Sequence, residues 1–215
     1  MAEDGSGTPA WESIVFQSTF EPPGDAQPDE TRAGGSRTTD RCHPEDPPIQ
    51  VLRPVDRYGL TLEERPEIFV QLQGSSAQDV VLTFQDGVGN HYQRAVIPVP
   101  EDAGLVSFRL PPDTSPLMVG KNYQWTVSIM CDRFLSPHDP VFTGWVQRTD
   151  RGGPLTEMAD APIQAQAEYL AAEGYWYDLL SLLSQYPIEN DAEQTRSNHS
   201  VQSFWDYYYL TNVAE

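Results

Sequence analysis

The sequence predicts a mainly β protein: an immunoglobulin- or fibronectin type III-like β-sandwich followed by a short α-helical C-terminal region. Four observations carry that expectation. Between residues 49 and 148, short runs alternate apolar and polar side chains with period two, interrupted by Pro, Gly, Asp or Asn roughly every ten residues. Seven such runs within about 100 residues match the strand count of a sandwich. The composition agrees: of 215 residues only 39% are hydrophobic, and 19 Pro with 15 Gly disfavour a helical bundle. Finally, in LMVGKNYQW, Gly120 stands midway between Leu117 and Tyr123, the spacing of a tyrosine corner, in which a Tyr hydroxyl reaches back to the backbone as the chain turns into a strand.

Taken in order, residues 1–40 read as a disordered acidic leader. They are rich in Gly, Pro, Ser and Thr and carry eight acids against Arg32 and Arg37. Their one apolar island, Trp11 to Phe20, reads as a loosely packed end, with docking on a sheet edge or a partner as the other reading. The sandwich domain follows at 41–150, with strands expected at Ile49 to Pro54, Glu67 to Gln73, Asp79 to Gln85, His91 to Val99, Gly104 to Leu110, Asn122 to Cys131 and Val141 to Arg148. In NYQWTVSIMC, Tyr123, Trp125, Val127, Ile129 and Cys131 share one face, so that face is core and the other is wet. DGVGN, after Gln85, supplies hairpin turn residues and makes the flanking strands antiparallel neighbours.

The 151–215 region reads as an α-helical extension, a helical hairpin plus a terminal helix. RGGP at 151–154 marks a linker. Ile163, Ala167 and Leu170 then form one helical face, Gly174 interrupts, and Trp176, Leu179, Leu180 and Leu183 form a second face ended by Pro187. In the last helix, over Val201 to Asn212, Val201, Phe204, Trp205 and Tyr208 fall on one side. A single hairpin is too little for a helical repeat, so it is expected to pack on the sandwich or on another protein.

Charge excludes whole classes of partner. With 13 basic and 32 acidic residues the net charge is −19, so nothing here replaces counterions along a nucleic acid, and an anionic membrane surface is disfavoured for the same reason. The excess sits mainly at the two ends: −6 in 1–40, −5 in 41–150 and −8 in 151–215. No apolar run has the length of a membrane span, and MAEDGSGTPA lacks a signal-peptide pattern.

No motif announces chemistry. Nucleophile elbow, phosphate loop, zinc-protease helix and paired redox cysteines are all missing from the sequence. No catalytic residue, cofactor or metal site is therefore assigned. By count, Cys42 and Cys131 fit either a bridge or two reduced thiols. With His43 and His138 they make a zinc inventory, but adjacent Cys and His rarely reach one metal. The bridge is accordingly the leading reading, ahead of free thiols and zinc. Glu101 and Asp102 with Asp86, or Asp132 with Asp139, could hold calcium at a loop end, yet they lack a calcium loop's spacing and read as solvated acids. Gly144-Trp145 reads as a core Trp beside a Gly where backbone approaches a neighbour.

Several stretches together resemble the mainly cyanobacterial domain of unknown function 928 family. They are GGSRTTDRC (Gly34 to Cys42), YGLTLEERPEIFV (Tyr58 to Val70), LVSFRLPPD (Leu105 to Asp113), PLMVGKNYQWTVSIMC (Pro116 to Cys131), FTGWVQR (Phe142 to Arg148) and AAEGYWYDLLSLL (Ala171 to Leu183). The resemblance spans about residues 34 to 186. It implies no activity, cofactor or catalytic residue. It does imply an exported protein, and the positions of Cys42 and Cys131 match the family's paired cysteines, which strengthens the bridge.

The functional expectation is a non-enzymatic protein-protein interaction module of the cell envelope. Trp176, Phe204, Trp205 and Tyr208 are its candidate partner-binding residues, and the partner is a protein of unknown identity. The alternative is a carbohydrate-binding or calcium-dependent accessory module using Trp145 or Trp176 as a sugar platform. The expected location is periplasmic or extracellular if an upstream signal peptide was removed, and otherwise cytoplasmic.

Overall fold

The computed structural model describes residues 14–16, 40–86, 92–101, 103–150, 158, 160–185, 201 and 204–206. Most of the leader, the hairpin tip at 87–91 and Tyr208 therefore lie outside the described residues. The described chain is mainly β, with two sheets and few helices. Its strands are β1 (Gln50–Val51), β2 (Tyr58–Thr61), β3 (Ile68–Gln71), β4 (Asp79–Asp86), β5 (Tyr92–Pro98), β6 (Leu105–Phe108), β7 (Asn122–Met130) and β8 (Val141–Arg148). Two helices follow, α1 (Ile163–Ala172) and α2 (Trp176–Ser184).

One sheet has the order β1-β3-β6, the other β2-β8-β7-β4-β5. All pairings are antiparallel except β2 with β8. Each of the seven expected runs contains a strand, and β4 and β5 pair across the hairpin as expected. The addition is β2, which sequence reasoning missed. All four of its residues are buried, so it lacks the alternation that reveals a half-wet strand.

Both sheets contribute to one apolar cluster, with Phe69, Val70 and Phe108 from the smaller sheet and Leu82, Phe84, Trp125 and Val127 from the larger. Ala167, Leu170, Trp176, Leu180 and Phe204 belong to that same cluster. The helical residues thus share the core of the sheets.

The turn between the helices is set by Gly174. Tyr175 N–H donates to the Leu170 carbonyl at 2.8 Å and Gly174 N–H to that of Ala171 at 3.4 Å. This is a Schellman closure, and it places Gly174 at φ +80°, where a Cβ would be penalised. The Gly174 carbonyl then accepts Leu60 N–H at 2.9 Å, tying the turn to β2.

Candidate functional site

Around Trp125 the sequence signals converge. Trp125 is opposite Gly144 on the neighbouring strand, and the indole occupies the space that a Cβ at 144 would need. Trp125 Nε1–H donates to the Tyr177 hydroxyl at 2.6 Å, and that hydroxyl donates to the Trp145 carbonyl at 2.8 Å. Burial raises the Tyr177 pKa well above the usual phenol range, so the hydroxyl stays protonated and able to donate. The expected corner is present: Met118 N–H donates to the Tyr123 hydroxyl at 3.1 Å, and Gly120 has φ +76°.

Helix α2 seats on β2 through a close approach. A Cβ on Gly59 would stand 2.9 Å from the Trp176 Cβ and 3.0 Å from the Tyr177 ring. In the first turn of α2, the Asp178 carboxylate accepts Leu62 N–H at 3.1 and 3.2 Å. Burial pushes this carboxyl up to about 7, opposed by the bonds from Leu62 and Thr61 and reinforced by the charge of Glu63. These groups fasten the helix; their polar atoms are directed at protein partners.

Cys42 and Cys131 are joined in a disulfide with a Cα separation of 5.2 Å. That uses both thiols of the zinc inventory, and no cluster of three or more potential metal-ligating residues occurs among the described residues. Asp139 is buried and accepts Ser136 N–H at 2.7 Å, closing the β7–β8 loop on itself. Asp102 lies outside the described residues.

Three of the four expected partner-binding residues are described, and the structure places them inside. Trp176 and Phe204 are fully buried and Trp205 nearly so. Phe204 and Trp205 lie with ring centroids 5.8 and 6.2 Å from Trp176. Trp176 Nε1–H donates to the Leu52 carbonyl at 3.3 Å, and Trp205 Nε1–H to Gln50 Oε1 at 3.4 Å. Their stripe was legible as apolar, but its destination is this chain's own core. A buried Trp176 likewise offers no face to a sugar.

Sequence reasoning did not single out the outer face of the larger sheet. The outer face of the larger sheet carries the rows Tyr92, Gln85, Gln124, Trp145; Arg94, Thr83, Thr126, Thr143; and Val96, Val81, Ser128, Val141. Arg94 is the one charged residue in these rows, on a chain of net charge −19, and Asp79 follows in the adjoining row between Pro98 and Met130. Tyr92, Val96 and Val141 are exposed. The β7–β8 loop presents Phe134 at 75% and Leu135 at 45% exposure. The signal in the sequence was the wet-side run of β7, where Gln124, Thr126 and Ser128 are polar without charge.

Comparison with known proteins adds a family. The model for Domain of Unknown Function (DUF928) matches residues 32–215. No curated protein matches the chain. Among solved structures, the chain is similar to the fn3 domain of human collagen alpha-1(XX) chain, at 16% identity and a TM-score of 0.34, over 50% of this chain and 85% of that one.

Proposed function

The chain belongs to the domain of unknown function 928 family, and from that premise we propose that it is a non-enzymatic interaction module of the cell envelope. Its scaffold on this reading is an immunoglobulin- or fibronectin type III-like sandwich. Two sheets sharing one core and a tyrosine corner support that scaffold. The observation that carries the function is the three-row stretch of the larger sheet's outer face in which Arg94 is the one charged residue, with exposed Tyr92, Val96 and Val141. On an acidic protein, a stretch free of acids is where a partner's surface is approached without like-charge repulsion. The disulfide supports an oxidising compartment, periplasmic or extracellular. No helix among the described residues is long and apolar enough to cross a membrane.

The test is capture of a protein partner by the parent chain and by a Val96→Glu/Val141→Glu variant with unchanged circular dichroism. Loss of the captured protein with the variant is expected; equal recovery would remove this face from the reading.

A second reading follows from one row. Tyr92 and Trp145 flank Gln85 and Gln124 across three strand pairings, and aromatic faces beside side-chain amides suit a carbohydrate chain. Glycan-array binding abolished by Trp145→Ala would promote it, and flat responses to every glycan would remove it.

A further inference from the structure

Ile14, Val15 and Phe16 precede the family-matched region and belong to neither sheet, yet they are docked on the core. Ile14 is 4% exposed while Val15 is 65% exposed, and Phe16 packs against the core. This in-out-in order is that of an extended segment lying on a surface. The Phe16 ring meets the Trp176 indole edge-on at 4.8 Å and 80°. Phe204 and Trp205, whose rings also lie against that indole, come from a distant part of the sequence.

We propose that Ile14–Phe16 is a tethered, displaceable ligand of an apolar groove built on Trp176, Phe204 and Trp205, and that this groove recognises an extended Ile-x-Phe segment. Two features support exchange. The segment is anchored by two inward side chains, whose burial is opposed by the entropy of ordering the backbone between them. The groove lies within the family-matched region, whereas its occupant lies outside that region and is joined to Asp40 by 23 intervening residues. The groove thus belongs to the domain and the strap is an attachment to it. This site is separate from the outer sheet face, so its failure leaves the proposed function standing.

The experiment uses the full chain carrying Ile14→Ala and Phe16→Ala, and a fluorescein-labelled peptide of residues 11–20. A saturable anisotropy rise is expected with this variant. Binding should be at least about tenfold weaker with the parent chain, whose groove is filled, and about tenfold weaker for a peptide carrying Phe16→Ala, as loss of one buried aromatic contact implies. Equal binding to parent and variant, or none to a variant with native circular dichroism, would overturn the proposal. A parent dimer that dissociates on Phe16→Ala would also overturn it, by giving the groove to a second copy's strap. If the double variant folds poorly, a site-specific protease sequence placed within 17–39 replaces it. After cleavage the strap fragment should be displaced by excess peptide, and a fragment that never exchanges is fixed core, which sinks the idea.

Discussion

Gly144 has no room for a side chain. Trp125 lies across it, so Gly144→Ala drives a methyl group into the indole, and overpacking of this kind costs about 1 to 3 kcal/mol. Urea unfolding should show the loss as a lowered midpoint with an unchanged slope. Tyr177→Phe keeps the ring but strips Trp125 Nε1–H of its acceptor and the Trp145 carbonyl of a donor. An orphaned buried donor costs about 1 to 3 kcal/mol, readable in the same assay. Asp178 gives a pH dependence of unusual sign. Its folded carboxyl titrates near 7, above the ordinary carboxylate value near 4 expected when unfolded. Between those values the folded state holds the extra proton, so this group's contribution to stability is full at low pH and is lost as pH rises through about 7. Asp178→Asn should therefore gain stability relative to the parent on going from pH 4.5 to pH 8. A difference that stays constant across that range would show that Asp178 does not titrate there.

At the scale of elements, what could be read from sequence depended on whether an element has a wet side. Strand β7 alternates strictly, because one face looks into the core and the other does not, and its core residues were legible one by one. Strand β2 escaped because α2 and the β8 edge enclose it: Tyr58 and Leu60 are buried on one side, and Gly59 is pressed by Trp176 on the other. A four-residue run buried on both sides carries no period. The stripe of Val201, Phe204 and Trp205 illustrates a different limit. Periodicity identified an apolar face correctly but not what covers it, and the cover is Trp176 and Gln50 of the same chain. The corner preceding β7 was legible from spacing alone, and it makes its own prediction. Tyr123→Phe removes the acceptor of Met118 N–H, a loss of about 1 kcal/mol that thermal unfolding should register as a Tm lowered by a few degrees.

For the molecule as a whole, the disulfide is the longest covalent constraint, joining residues 89 apart. Closing a loop of that length restricts the unfolded chain, and removing such bridges commonly costs about 2 to 4 kcal/mol. Cys42→Ser/Cys131→Ser should lower the denaturation midpoint accordingly, and mass spectrometry of non-reduced peptides from the parent should recover the linked pair. The acidic excess was legible from composition, but the sparsely charged rows of the outer face were not, because they exist only once four strands are brought into register.

The packing around Trp176 bears on how the protein comes into being. Its indole N–H bonds to a residue 124 positions earlier, and Trp205 bonds to one 155 positions earlier. During vectorial synthesis the sheets therefore emerge with one side of their core still open, awaiting residues made near the end. Contacts of such sequence span delay folding, and until residue 205 is free the exposed apolar surface is at risk of aggregation. The nascent chain thus keeps apolar surface uncovered until Phe204 and Trp205 have emerged.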